Sequence, residues 1–558
     1  MSPQTEASPP ATTEEALDRK HILLVFVGLI LAMLLAALDQ MIFSTALPTV
    51  VGDLGGVEHM LWVTTAYILA ATIMMPVYGK LGDLFGRKSL FIFAISIFMV
   101  GSIVGGLAQG MPELIAGRAI QGLGGGGLMI LAQAIIADVV PARERGKYMG
   151  VMGGVFALAS VAGPLLGGYF TESLSWRWCF WINIPLGIAA IISAVLFLHL
   201  PKRTQGKPKI DVAGMVALAV ASAAIVLATS LGGNTYDWGS VQIISLWVIG
   251  AVVGVAFVLI EKNASEPVMP LYLFKKRNFN LTTGAGLITG IAMFGALAYM
   301  PTYLQMVTGV TATQAGLLMI PMMAAMLITS IGSGQFVSKT GRYKFLPVVG
   351  SLFIALGLFL LSTMTPGTPL WLRCVFLATM GLGLGLTMQL LVLIVQNSFP
   401  VSAVGTATAS NNYFRQIGAS IGAAAVGSLF TSRLIEFLGD SLPASVATSG
   451  DLNSITPSAV QSMPPEIQDA IVNSYNDALT PVFLLMVPLV LVSFVLLLFV
   501  KEEKLATTIE RDVVPESFEI DGSSNAYLDT HELETVAVGA DGAVADNAAD
   551  ATGGDSRR

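Results

Sequence analysis

The stretch Gly79-Lys-Leu-Gly-Asp-Leu-Phe-Gly-Arg-Lys88 has a counterpart in Gly334-Gln-Phe-Val-Ser-Lys-Thr-Gly-Arg-Tyr-Lys344. In both copies two glycines stand seven positions apart, and an arginine and a second basic residue follow the second glycine. Each copy directly follows an apolar segment long enough to form a membrane helix. In both cases this segment is the second in a series of six. The repeat therefore predicts two duplicated halves of six helices, an organisation that membrane proteins use to open a central site to either side in turn.

The composition of the chain supports a membrane protein. Of its 558 residues, 54% are hydrophobic and 12% are charged, whereas soluble domains carry roughly 25% charged residues. This excludes an ordinary soluble enzyme. Fourteen apolar runs are long enough to cross a bilayer, and because they do not alternate with a period of two, they predict helices rather than barrel strands. The predicted spans are 22–48, 60–79, 89–109, 112–137, 147–171, 180–200, 212–232, 241–261, 281–305, 314–337, 345–363, 370–395, 404–432 and 480–500.

The basic residues predict the orientation of the spans. If the chain begins in the cytoplasm, 24 of the 29 Lys and Arg residues lie on the inner side. The outer loops hold Arg177, Arg373 and Arg433, and two arginines, Arg118 and Arg415, lie inside spans. Since basic residues mark cytoplasmic loops, we expect a multi-pass protein of the plasma membrane with both termini in the cytoplasm.

The spans predict an all-α integral membrane fold with two inserted helices and polar ends. The net charge of −7 belongs to the C-terminal tail, so it indicates neither an acidic nor a basic partner. We favour a solvated loop over an extracellular cap for the long acidic segment before the last span. The predicted units are a disordered cytoplasmic arm at 1–20, a six-helix bundle at 21–201, a two-helix insert at 210–262, a second six-helix bundle at 278–500 with an extracellular loop at 433–479, and a disordered acidic tail at 501–558.

Four motifs in this order resemble the major facilitator superfamily, over about residues 20–500. The loop at 79–88 resembles the signature loop of the superfamily, and Arg118-Ala-Ile-Gln-Gly122 resembles its proton-linked motif in span 4. Span 5, from Gly150 to Gly168, is similar to its antiporter motif. Span 1, from Leu38 to Pro48, resembles the fourteen-span drug:proton antiporters of the EmrB/QacA subfamily. The resemblance implies export of hydrophobic or cationic compounds in exchange for protons.

Asp39 is the most informative single residue, because a carboxylate inside a span is costly and points to function. It lies about 14 Å deep by helical rise, nine positions before Pro48. Arg118 lies about 9 Å deep from the same side, so the two can pair. We expect Asp39 and Arg118 to form the proton-coupling site, with Asp39 carrying the proton or holding a cationic cargo. A fixed structural ion pair is the alternative.

The resemblance also assigns roles to two other groups of residues. It implies that the loop between spans 2 and 3 forms a latch that joins one half to the other through a charge relay at the start of span 13. That latch comprises Gly79, Asp83, Gly86, Arg87, Lys88, Arg143 and Arg145. The antiporter motif in span 5 comprises Gly154, Gly163, Pro164, Gly167 and Gly168, and a kinked, closely packed helix there would seal a leak path. Ordinary helix packing is the alternative for the second group, and a plain positive-inside loop for the first.

Polar and aromatic residues within the spans are candidates for the walls of a central cargo site. Aromatic rings suit flat, lipophilic cations, although each residue taken singly is more often a packing residue than a ligand. For Arg415 a structural or gating role is favoured over contact with cargo. The tentative cargo-binding residues are Phe43, Trp62, Tyr67, Tyr299, Asn411, Asn412 and Arg415.

These observations favour proton-coupled efflux by alternating access. The competing hypothesis is transport of one defined metabolite, such as an amino acid, a diamine or a lipid. An enzyme is not expected, since the spans hold no convergent cluster of His, Asp and Glu. We expect no cofactor and no metal, with the proton as coupling ion, and Cys179 and Cys374 as free thiols. The expected partners are a small-molecule cargo and the lipid bilayer, not nucleic acid, and the protein is expected to be a monomer.

Overall fold

A computed structural model of the chain describes residues 19–55, 59–200, 209–233, 235–441, 460 and 463–507. They all belong to one compact unit, Met1–Glu510. A second unit, Arg511–Arg558, lies outside the described residues. So do nearly all of the predicted N-terminal arm and most of the predicted acidic tail.

In the described part of the chain, 14 helices are long and apolar enough to cross a membrane. This confirms the predicted number of spans and the all-helical fold. The membrane-crossing helices are α1 (Ile22–Leu54), α2 (Met60–Phe85), α3 (Arg87–Leu107), α4 (Met111–Val139), α5 (Ala142–Ser173), α6 (Trp178–Phe197), α7 (Val212–Leu231), α8 (Val241–Asn263), α9 (Arg277–Thr308), α10 (Thr313–Thr340), α11 (Phe345–Ser362), α12 (Leu370–Asn397), α13 (Val401–Gly439) and α14 (Pro465–Leu498).

The segment predicted as an extracellular loop at 433–479 is helical at both of its ends, which corrects that prediction. The helix of α13 continues to Ser441, and α14 begins at Pro465. Proline is well suited to the first turn of a helix, because its missing N–H would have no partner there. Ile471 and Leu479 are buried in the same apolar cluster as the rest of the second half, so the polar-looking segment is anchored by its apolar face. Residues 442–459, 461 and 462 lie outside the described residues.

The second glycine of each repeated loop has a positive φ. Gly86 ends α2 with φ +92°, and Gly341 ends α10 with φ +74°. Side chains other than that of glycine are strained in this region. The duplicated pattern therefore places a glycine with positive φ at the end of the corresponding helix in each half, although the turns differ, with ψ 138° at Gly86 and −2° at Gly341.

The two halves meet closely at the end of the bundle that carries these loops. A side-chain carbon at Gly334 of α10 would collide with the carbonyl oxygen of Gly146 in α5, and one at Gly150 with that of Ser330. In α2, a side-chain carbon at Gly79 would collide with Ala409 of α13. Glycine thus permits backbone contact between helices of opposite halves.

Of the two inserted helices, α7 packs against α2 and α13, and α8 packs against α7. The Ser222 hydroxyl in α7 and the Tyr413 hydroxyl in α13 are 2.8 Å apart and share a hydrogen bond. Glu266 lies in the segment between the insert and α9, and it forms a 2.6 Å ion pair with the Lys80 ammonium of α2. The insert is therefore fixed to both halves rather than loosely tethered.

Residues Lys501–Ala506, which we call the terminal strap, follow α14 and contact both halves. The Asn278 amide nitrogen donates to the Lys501 carbonyl at 2.9 Å, and the Tyr343 amide donates to Glu502 at 2.8 Å. The Arg143 amide at the start of α5 donates to the Ala506 carbonyl at 3.0 Å. Burial raises the pKa of Tyr343, whose hydroxyl accepts a hydrogen bond from the Glu503 amide. The tail predicted to be disordered from residue 501 thus begins with a bound segment.

Candidate functional site

A buried ion pair lies inside the first half, between α1 and α4. An Arg118 guanidinium nitrogen is 2.5 Å from one Asp39 oxygen. The other Asp39 oxygen accepts hydrogen bonds from Gln121 at 3.0 Å and from Asn183 of α6 at 2.8 Å. All three partners donate to the carboxylate, which is the pattern that an ionised carboxylate requires. The structure thus brings together the two residues that the sequence singles out.

The surroundings of this pair are closed to solvent. Asp39 and Arg118 are 1% and 2% exposed. The rings of Phe43 and Tyr67 lie on the guanidinium, with centroids 4.6 and 4.4 Å from its central carbon. These two rings, predicted as walls of a cargo site, contact and stabilise the Arg118 cation.

Small residues in the neighbouring helices allow this packing. A side-chain carbon at Gly163 or Gly167 of α5 would press on the backbone of α1 at Met41 or Ile42, close to Asp39. At Gly154 it would meet Leu327 of α10, in the other half. The helix continues across Pro164, which lies inside it. Gly168 differs from the rest of the motif, because a side-chain carbon there would meet nothing within 4 Å.

A second polar cluster lies where α4 of the first half faces α13 of the second. The Asn412 amide nitrogen donates to the Gln133 side-chain oxygen at 3.0 Å, and Arg415 donates to the Asn412 oxygen. Asn411 donates to the Thr283 hydroxyl at 3.2 Å. Asn412 and Arg415 therefore lie one helical turn apart on α13, with Asn412 joining the two halves, whereas Asn411 contacts α9 of its own half.

The latch residues gather at the start of α13. Arg87 forms 2.6 Å ion pairs with Asp83 and with Asp138 of α4. Asp83 accepts from both the backbone amide and the hydroxyl of Thr406, at 2.7 and 2.8 Å. Arg87 also donates to the Val401 carbonyl at 3.1 Å. A carboxylate is favourable at the first turn of a helix, where the backbone amides point outward.

The other predicted latch residues bind backbone carbonyls rather than carboxylates. Arg145 donates to the carbonyls of Ala137 and Val140, at 2.8 and 2.9 Å. Arg143 reaches the other half and donates to the carbonyls of Ser338 and Lys339, at 3.3 and 3.1 Å. Lys88 donates to the Val195 carbonyl within its own half at 3.0 Å. Ser338 replaces the aspartate in the second copy of the loop. Its backbone carbonyl thus takes part in the contact between the two halves.

Trp62 and Tyr299 do not join either polar cluster. Trp62 is 38% exposed near the first turn of α2. Tyr299 lies where α9 is interrupted, donates to the Ala423 carbonyl at 3.2 Å and packs against Phe430 with ring centroids 5.8 Å apart. The seven tentative cargo residues are therefore spread over four places.

Several residues of these clusters were missed in the sequence. Asn183 and Ser102 complete the surroundings of Asp39, Gln133 faces Asn412, and Asp138 shares Arg87 with Asp83. Gln133 and Asn183 are uncharged polar residues inside apolar spans, and this cost of burial could have indicated them. Asp138 and Thr406 carry no comparable signal, because they lie at the ends of spans. Both cysteines, Cys179 and Cys374, are free thiols.

Comparison with known proteins gives consistent matches over most of the chain. The family model of the Major Facilitator Superfamily matches residues 29–423. The chain is 42% identical over 480 residues to an uncharacterized MFS-type transporter of Mycobacterium tuberculosis (strain ATCC 25618 / H37Rv), a match that covers 86% of this chain and 69% of the relative. It is 39% identical over 520 residues to the multidrug transporter protein MdtP of Bacillus subtilis (strain 168), over 88% of this chain and 95% of the relative. Among solved structures, the proton:xylose symporter XylE matches with a TM-score of 0.57 at 16% identity, over 87% of this chain and 97% of the symporter.

Proposed function

The chain belongs to the major facilitator superfamily, and from that premise we propose that it exports hydrophobic or cationic compounds from the cell, driven by the entry of protons. A relative at 39% identity is named as a multidrug transporter, which supports export of several compounds over uptake of one. The protein would act as a monomer in the plasma membrane, with both termini in the cytoplasm. The family consists of transporters rather than enzymes.

The observation that supports proton coupling is the environment of Asp39. Its carboxylate is buried and accepts hydrogen bonds from Arg118, Gln121 and Asn183. A change that separates Asp39 from Arg118 would leave a buried charge without compensation, and uptake of a proton would relieve it. Proton binding and helix movement would then be linked through one ion pair.

The observation that supports alternating access is the closed end of the bundle. Backbone contacts between α5 and α10, the Asp83 contacts with α13 and the terminal strap all join the halves at the end with the repeated loops. If that end faces the cytoplasm, as the basic residues predict, this arrangement is closed to the cytoplasm. Release of these contacts would admit cargo from inside.

The test uses inside-out membrane vesicles that contain the full chain, with ethidium supplied in the external medium as a cationic probe. A pH gradient, acidic inside the vesicle, is expected to drive ethidium uptake, and a protonophore is expected to abolish it. Applying the voltage alone, without the pH gradient, measures the charge moved in each cycle. Uptake that persists unchanged with the protonophore would contradict proton coupling, and no uptake of ethidium or of any dye in a panel would favour a single defined metabolite.

A further inference from the structure

Arg415 is a cation inside a span without a negative partner. It lies about 16 Å along the helix axis from Val404, at roughly 1.5 Å per residue. None of the ion pairs found among the described residues includes it, and its hydrogen bond goes to the neutral amide of Asn412. Arg118, the other arginine inside a span, is paired with Asp39. An uncompensated cation at membrane depth is expensive and calls for an anionic or strongly polar partner.

A second donor next to Arg415 also lacks an acceptor. Gln133 is 0% exposed, and its side-chain nitrogen has no hydrogen-bond partner among the described residues. Its oxygen binds the nitrogen of the Asn412 amide, whose oxygen binds Arg415. Gln133 and Arg415 therefore bind the nitrogen and the oxygen of the Asn412 amide, respectively. Each still has N–H groups without an acceptor among the described residues. Buried donors of this kind are normally satisfied.

Arg415 lies on the side of α13 that faces the other half, not the lipid. It is one helical turn from Asn412, which contacts Gln133 of α4 across the boundary between the halves. The side chain retains partial exposure. A ligand between the halves could therefore reach the guanidinium, and one that carries a carboxylate would accept from its planar donors in the geometry that arginine favours.

We propose that Arg415, with the Gln133 amide, binds a carboxylate of the cargo, so that the transported class includes amphipathic organic acids and zwitterions. This proposal refines the proposed export function and rests on it, because a bound carboxylate compound is cargo only if the protein transports it. A purely cationic compound gains nothing from Arg415, and repulsion excludes it from that end of the site. The carboxylate would bind at Arg415, and the apolar body of the molecule would lie against the facing helices.

The test compares an acid with its neutral ester on the full chain in lipid nanodiscs. The probes are dansylglycine and dansylglycine methyl ester, followed by dansyl fluorescence, with empty nanodiscs subtracted. We expect the acid to bind at least about tenfold more tightly than the ester, an effect of roughly 1.4 kcal/mol. Arg415→Gln is expected to lower acid binding to the level of the ester and to leave ester binding unchanged. Arg433→Gln, on the same helix and predicted to lie at its outer end, is the charge-matched control and is expected to change neither.

A second variant covers the case in which Arg415→Gln does not fold. Gln133→Glu keeps the shape of the side chain and supplies an internal carboxylate next to Arg415, so it is expected to abolish the preference for the acid. Equal binding of acid and ester by the unaltered protein, no binding of either, or full acid binding by both variants would overturn the proposal. Displacement of the acid by millimolar chloride as readily as by 2-naphthoate would also overturn it, because the site would then take inorganic anions. Ethidium export is measured separately, so loss of the export function and loss of the carboxylate site give different results.

Discussion

Two arginines inside membrane spans illustrate how the partner of a residue determines its role. Arg118 has a carboxylate and two aromatic rings around its guanidinium and is closed to solvent. Arg415 has an amide and partial exposure. In the first arrangement a carboxylate compensates the charge, which suits control of a proton on Asp39. The second is incomplete and suits a ligand.

Replacing Asp39 with Asn is expected to uncouple transport while leaving the cargo path intact. The amide cannot carry a charge or exchange a proton, so uphill export should fall by about tenfold or more, equivalent to at least roughly 1.4 kcal/mol. Exchange of labelled for unlabelled ethidium at equal concentrations, which needs no proton gradient, should persist. Asp53→Asn, at the exposed end of the same helix, is the control and should behave as the unaltered protein. Retention of uphill export by Asp39→Asn at normal abundance would contradict the role of Asp39.

At the level of the helix, α5 has two close contacts at different heights. Gly146, Gly150 and Gly154 face α10 in the other half, whereas Gly163 and Gly167 face α1 near Asp39. One helix therefore contacts both the moving boundary and the proposed proton site. Its position links the two.

A methyl group at Gly163 is expected to disrupt the packing of α5 on α1. It would collide with Met41, including the backbone carbonyl carbon, and overpacking of this kind costs roughly 1–3 kcal/mol. Gly163→Ala should lower both the thermal stability of the purified protein and ethidium transport. Gly168→Ala is the matched control from the same motif, because that position is open. Equal effects of the two substitutions would show that close packing is not what the motif provides.

The contact of Asp83 with the start of α13 predicts a shift between closed and open states. Thr406→Val removes the hydroxyl bond and leaves the backbone bond, whereas Asp83→Asn weakens both, so the second change should have the larger effect. Opening can be measured as the alkylation rate of a single cysteine introduced at Ala409, in a variant lacking Cys179 and Cys374. We expect the rate to rise in the order unaltered, Thr406→Val, Asp83→Asn. If the two changes act through this contact, the double variant should add little to Asp83→Asn.

For the whole molecule, the terminal strap predicts that two nearby truncations differ. A chain ending at Thr507 keeps the contacts of residues 501–506 with Asn278, Tyr343 and Arg143 and should retain closure at that end. A chain ending at Val500 loses them and should open more readily, by the same alkylation assay. Identical alkylation rates for both truncated chains would show that the strap does not contribute to closure.

Much of this fold follows from the sequence, because apolar length, basic loops and a repeated glycine pattern are local signals. The same reasoning predicts Asp39 and Arg118 as partners, since a lone intramembrane acid and base at matching depths have few alternatives. It does not predict the contact of Phe43 and Tyr67 with Arg118, because that contact depends on how α1, α2 and α4 pack together. It fails also for the ends of α13 and α14, where buried contacts extend helices into a segment that reads as polar.

The glycine seam between α5 and α10 has a consequence for the energetics of opening. Side chains that become fixed at an interface lose conformational entropy, at up to about 2 kcal/mol for a long residue, whereas glycine has none to lose. Closing at Gly146, Gly150 and Gly334 orders no rotamers at these positions, and opening there releases none. Side-chain entropy at the seam therefore favours neither state, which leaves the balance to the few charged contacts at its edge.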